Sequence, residues 1–144
     1  MSRTEEALAL FRAGFSCSQA VFAVFAGDAG LDRETALRLS QPFGGGIAGG
    51  GDWCGALTGA FLTAGLKHGR TRPEDLAAKE KTYAVVRELT ARFAAGHGGV
   101  KCRDLLGCDI STPEGRRQAD EQKLHQTRCE ALIAGAVALL EELL

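Results

Sequence analysis

Five cysteines, Cys17, Cys54, Cys102, Cys108 and Cys129, are the side chains of this chain best equipped for chemistry. A thiolate is a nucleophile, a metal ligand and one half of a disulfide. No two of the five form a Cys-x-x-Cys pair, so neither a thioredoxin-type dithiol nor a zinc-ribbon pattern is present. Any site must therefore be assembled from distant segments. Four thiolates meeting at one point would suit an iron–sulfur cluster or zinc. Two or three would suit a dithiol–disulfide switch. The odd count argues against a disulfide-stapled scaffold and leaves metal binding, redox chemistry or core packing.

The thiols differ in their local setting. Cys17 and Cys129 fall on apolar stripes and Cys102 lies beside Leu105 and Leu106, where a free cysteine serves as a small hydrophobe. Cys54 stands apart because it follows a glycine-rich loop and falls in the first turn of an expected helix. Unpaired backbone N–H groups and the helix dipole favour negative charge there, lowering a thiol pKa, while the carboxylate of Asp52 opposes them. The balance is not fixed at this level, yet Cys54 is the thiol with a local argument for function. Gly49, Gly50 and Gly51, directly ahead of it, leave room for a cofactor or for another strand of backbone. His125, four residues before Cys129, has a spacing that suits one metal, but a polar residue at a helix start is the simpler reading.

The elements that must position these residues read as helices. Leu8, Phe11 and Phe15 space a first helix over about Thr4–Ala13, and Ser16 caps a second that carries Cys17, Ala20, Val21, Val24 and Phe25 on one face. Asp32 caps a third, stopped by Pro42. The segment from Phe43 to Asp52 holds six glycines in ten residues, an entropic cost that an ordinary turn does not require. Asp52 is placed to cap a central helix from Trp53 to about His68, on which Gly55, Gly59 and Thr63 form a small-residue face for close approach of a backbone. Pro73 suits the first turn of a long helix running to about Ala95. A short helix spans Cys102–Leu106, Thr112 and Pro113 open another, and the last runs over about Gln126–Leu143. No period-two run stands out. The expectation is all-α: one domain over residues 1–144, a multi-helix bundle with the Gly-rich loop before its central helix.

Bulk properties narrow the function. Seventeen basic against eighteen acidic residues, a net charge of −1, supply no basic surface for nucleic acid. No signal-peptide core is present, and no apolar run approaches the ~18 residues of a membrane span. A cytoplasmic protein with neither nucleic-acid nor membrane partners is expected. The glycine loop does not fit Gly-x-x-x-x-Gly-Lys-Ser/Thr and no strand precedes it, which places nucleotide binding a distant third.

Four pieces of sequence carry a family resemblance: Phe15-Ser16-Cys17-Ser18-Gln19-Ala20-Val21, Cys54-Gly55-Ala56-Leu57-Thr58-Gly59, Cys102-Arg103-Asp104-Leu105-Leu106-Gly107, and Cys129 near the end. Together they resemble the C_GCAxxG_C_C family of bacterial and archaeal redox-active proteins, whose members have about this length and four characteristic cysteines. The resemblance implies Cys17, Cys54, Cys102 and Cys129 as the set and leaves Cys108 auxiliary. On it rests the leading expectation, an iron–sulfur cluster of the two-iron type held as metal ligands by those four thiols, with an electron-transfer partner the sequence does not identify. The alternative is a thiol–disulfide redox protein in which Cys54 is the catalytic, fastest-alkylated thiol. A third reading is a structural or zinc-binding helical interaction module. The Gly55/Gly59 face could pack within the subunit or build a homodimer.

Overall fold

The computed structural model describes residues 1–144 and is all-helical. Its helices are α1 (Arg3–Arg12), α2 (Cys17–Ala26), α3 (Arg33–Ser40), α4 (Gly55–His68), α5 (Leu76–His97), α6 (Cys102–Leu106), α7 (Pro113–Glu121) and α8 (Glu130–Leu143). A π-helical turn, His125–Cys129, leads directly into α8. No helix is long and apolar enough to cross a membrane.

Local chemistry explains most of the boundaries. Ser2 with Glu5, and Ser16 with Gln19, form reciprocal capping boxes at α1 and α2. Asp32 and Thr112 cap α3 and α7, with Pro113 at the first helical position of the latter. Gly98 and Gly107 end α5 and α6 in the left-handed conformation.

Three expected boundaries are corrected. The residue capping α4 is Cys54 and not Asp52, because the Asp52 backbone is engaged elsewhere: its N–H donates to Gly46 O at 2.9 Å and its carbonyl accepts from Cys102 N at 2.6 Å. The long helix α5 starts at Leu76 behind Asp75, whose carboxylate accepts from the Ala78 amide, so Pro73 sits in the preceding turn. The last helix is preceded by the π turn, entered through Lys123 at φ 53°.

Helix α2 is buried over Ser18–Ala26 and forms the centre of the bundle. It packs on α1, α3 and above all α4, while α8 closes the core against α1 and α5. Phe22, Leu57, Leu89, Phe93, Ile133 and Leu140 are fully buried, each contributing about 1.5–3 kcal/mol of transfer free energy. The polar side chains inside α2 are satisfied: Ser18 Oγ donates to Ser40 O at 2.7 Å and Gln19 Nε2 to Leu37 O at 3.0 Å.

The small-residue face of α4 is used within the chain. A Cβ on Gly55 would stand 3.1 Å from Ser18 N and 3.3 Å from Cys17 Cβ, and one on Gly59 would meet Ser18 O at 2.8 Å. The first turn of α2 therefore lies directly on α4, and this contact sets Cys17 beside Cys54. Gly65, further along α4, has nothing within 4 Å of its would-be Cβ. The two glycines should thus respond oppositely. In urea unfolding, Gly59→Ala is expected to lose about 1–3 kcal/mol, since the clash is with backbone that cannot rotate away. Gly65→Ala should gain about 0.5–1 kcal/mol from helix propensity alone.

Candidate functional site

The glycine-rich loop folds as a left-handed turn. Gly45, Gly46, Ile47, Ala48 and Gly49 have φ of 64°, 74°, 66°, 50° and 73°, and Gly51 has 72°. Such a run costs about 1–2 kcal/mol for each residue carrying a Cβ, which is why only two of the six are not glycine. The cost is offset by internal hydrogen bonds, among them Gly49 N to Gly44 O at 2.9 Å and Gly51 N to Gly45 O at 3.1 Å.

The turn delivers the following segment to residues 100–103. Cys54 N donates to Val100 O at 2.8 Å, Cys102 N to Asp52 O at 2.6 Å and Arg103 N to Gly51 O at 3.1 Å, with Trp53 and Lys101 forming an isolated antiparallel bridge. This short pairing fastens Cys54 to Cys102. It tolerates no side chain at Gly46, whose Cβ would lie 2.5 Å from Asp52 N and 2.8 Å from Cys102 Cβ.

Cys129 arrives from the other side. It ends the π turn, and Arg128 ties that turn to α6 by donating from Nη1 to Leu105 O at 3.3 Å. The result is one cavity of about 200 Å³ lined by Cys17, Cys54, Cys102 and Cys129. Phe11, Leu106, Ile110 and Leu132 supply its apolar wall, and Gly45, Gly46 and His125 complete it. All five cysteines are free thiols.

The structure therefore gathers the four sequence-selected thiols around one space and leaves Cys108 out of the lining. Cys108 is buried just behind it, among Leu106, Ala119 and Leu124. Of the glycines expected to make room for a cofactor, Gly49 and Gly50 are exposed and Gly51 is buried next to Asp109 and Arg103; none lines the cavity. Gly45 and Gly46 take that place. His125 is a site residue that sequence reasoning set aside. Its signal was the four-residue spacing to Cys129, and the π turn realises it, with His125 Nδ1 3.6 Å from Cys129 Sγ.

Burial and mutual repulsion set the protonation of the thiols. Desolvation pushes Cys54 up to about 11, outweighing the Ala56 and Leu57 amides that pull it down. Desolvation, with repulsion from the neighbouring sulfurs, pushes Cys102 up to about 12. Cys17 and Cys129 line the same cavity and shift each other in opposite directions. Interaction with the Cys129 sulfur, then desolvation, raises Cys17 well above the ordinary range. The same interaction, with the hydrogen bond between Cys129 and His125, lowers Cys129 to about 6 despite its burial. His125 is raised in return, chiefly by its hydrogen bond to Cys129, and its Nε2 lies 3.9 Å from Asp120 Oδ1. A nucleophilic sulfur, a ring beside it and a carboxylate behind the ring are the parts of an activated thiol.

No three His, Cys, Asp or Glu side chains are grouped closely enough to hold one ion, so a tetrahedral zinc site is not matched by the donors as they lie. The four cysteines nevertheless line one largely apolar space.

Comparison with family models gives a match over residues 15–143 to the family described as "Putative redox-active protein (C_GCAxxG_C_C)". Comparison with curated proteins and with solved structures gives no match.

The thiol pKa order makes a kinetic prediction. At pH 7 Cys129 has about a 10⁴-fold larger thiolate fraction than Cys54, and its lower basicity costs about 10² in intrinsic nucleophilicity. Iodoacetamide should then label Cys129 about 10²-fold faster, as read by peptide mass spectrometry. Because the thiolate is the reactive form, the rate should fall as pH drops through about 6. His125→Ala should move that midpoint upward.

Proposed function

Since the chain belongs to the C_GCAxxG_C_C family of redox-active proteins, we propose that it is a thiol–disulfide redox protein whose working pair is Cys17 and Cys129. The observation that carries this reading is the placing of both thiols in one largely apolar cavity, with His125 Nδ1 3.6 Å from Cys129 Sγ. In this reading the attacking thiol is Cys129, in place of the Cys54 favoured on local sequence grounds, because burial without a partner keeps Cys54 protonated.

The Cys129 thiolate attacks one sulfur of an acceptor disulfide, forming a mixed disulfide and expelling one thiolate. Cys17 passes its proton to that leaving thiolate and attacks Sγ of Cys129, expelling the second thiolate and closing the Cys17–Cys129 bond. Two electrons have then moved from the protein to the acceptor. The ring of His125, in contact with Cys129 Sγ, stabilises that thiolate beforehand, and Phe11, Leu106, Ile110 and Leu132 keep water from the sulfurs. The electron-transfer partner would be a dithiol or disulfide, and the cytoplasm a compartment that keeps the pair reduced at rest.

A second reading is supported by the convergence of four thiols, three of them buried, on one cavity. In it Cys17, Cys54, Cys102 and Cys129 would hold a two-iron iron–sulfur cluster, which would supply one-electron transfer when bound. The chain's own part is to present the four sulfurs and to exclude water, both of which tune a potential.

One set of variants separates the readings. Titration of the reduced protein with a small disulfide oxidant should give a Cys17–Cys129 link in peptide maps. Cys17→Ser should trap the mixed disulfide on Cys129, and Cys54→Ser should leave the link intact. Oxidation that links another pair, or none, would overturn the dithiol assignment. Stoichiometric iron and sulfide after anaerobic reconstitution, lost in both Cys54→Ser and Cys102→Ser, would transfer it to the cluster.

A further inference from the structure

The long helix α5 buries only Val85, Leu89 and Phe93, and its opposite face is unpartnered. That face carries Leu76, Glu80, Tyr83, Ala84, Arg87 and Ala91, all exposed and all within one stripe at helical spacing. Leu76 is 62% and Tyr83 50% accessible, two of the seven large hydrophobics the chain leaves exposed. Glu80 and Arg87 enter no ion pair within the chain, whereas seven of the other eleven arginines do.

The order of these residues is self-complementary when reversed. About a midpoint between Tyr83 and Ala84, Leu76 maps onto Ala91 and Glu80 onto Arg87, large against small and acid against base. An isologous contact demands this: if residue i touches residue j of the second copy, then j touches i. Antiparallel packing also sets opposed helix dipoles side by side. From Leu76 to Ala91 the stripe is about 23 Å long, and the alanines allow the axes to approach closely.

The geometry points to a homodimer formed by antiparallel packing of α5 on α5 of a second copy, held in register by two symmetric Glu80–Arg87 ion pairs. Leu76 lies over Ala91 of the second copy, and Tyr83 packs at the dyad. This surface differs from the Gly55/Gly59 face, which α2 already covers. It also leaves both thiol cavities free, since none of its residues lines them.

Within one chain Glu80 and Arg87 are two helical turns apart, about 10 Å, too far to pair with each other. Charge variants therefore report contacts between chains alone. Sedimentation equilibrium at low salt should show a reversible dimer of the wild-type chain. E80R and R87E should each raise the dissociation constant at least about tenfold by placing like charges together. The double variant E80R/R87E should restore dimerisation. An equimolar mixture of the two single variants should form a heterodimer, because only the mixed pair is complementary. Circular dichroism identical to wild type excludes a folding effect, and these positions are exposed. A wild-type chain that stays monomeric up to about 1 mM, the weak limit of specific association, would overturn the proposal, and so would a dimer indifferent to both reversals. A helix of some other protein as the true occupant would show itself as the first of these results.

Discussion

The site depends on one short stretch of backbone pairing, between residues 51–54 and residues 100–103. Three hydrogen bonds and a single bridge hold it, yet it brings the start of α4 against the start of α6 and so Cys54 against Cys102. The pairing requires two chain segments to approach more closely than side chains allow. That requirement accounts for the glycine loop: the left-handed turn at Gly45–Gly49 aims the chain, and the bare Cα of Gly46 lets Cys102 lie against it. Conformational entropy lost by the glycines is the cost of that proximity, and it is offset by the loop's own hydrogen bonds and by the core that forms around it.

The same logic of close approach operates at the other two thiols. Gly55 and Gly59 admit the first turn of α2 to the surface of α4 and carry Cys17 in with it. Cys129 is placed by a different device, a π turn that widens the helix by one residue and turns both His125 and Cys129 to the cavity. Local departures of this kind from regular helix recur at functional sites because they re-aim side chains that a straight helix would bury elsewhere.

Gathering thiols in an apolar space creates an electrostatic problem. Each thiolate is penalised by desolvation and by the charges of the others, and so Cys17, Cys54 and Cys102 are held protonated. A single charge is favoured most at Cys129, which lies beside Cys17 in the cavity and against the ring of His125. Pairing two sulfurs in a disulfide or placing them against a cation would each relieve that repulsion.

Much of this was legible in the amino-acid sequence. The all-α class, the Ser16, Asp32 and Thr112 caps and the small-residue face of α4 follow from local propensity and periodicity, which act over a few residues and survive any tertiary context. The choice of Cys17, Cys54, Cys102 and Cys129 over Cys108 came from a motif resemblance, and that the four line one cavity is visible only in the fold. What the sequence could not decide were quantities that depend on neighbours distant in the chain. Asp52 looked like a cap because nothing local revealed that its backbone would pair with Cys102. Cys54 looked like the reactive thiol because a helix N-terminus is visible in sequence and burial is not; once folded, desolvation wins there. The lowered pKa of Cys129 needed Cys17, more than a hundred residues away, and a π turn that no hydrophobic period announces. Sequence alone determined which groups were available and which helices would carry them. Only the tertiary structure, by choosing which sulfur lost its water and which gained a partner, decided where the charge would sit.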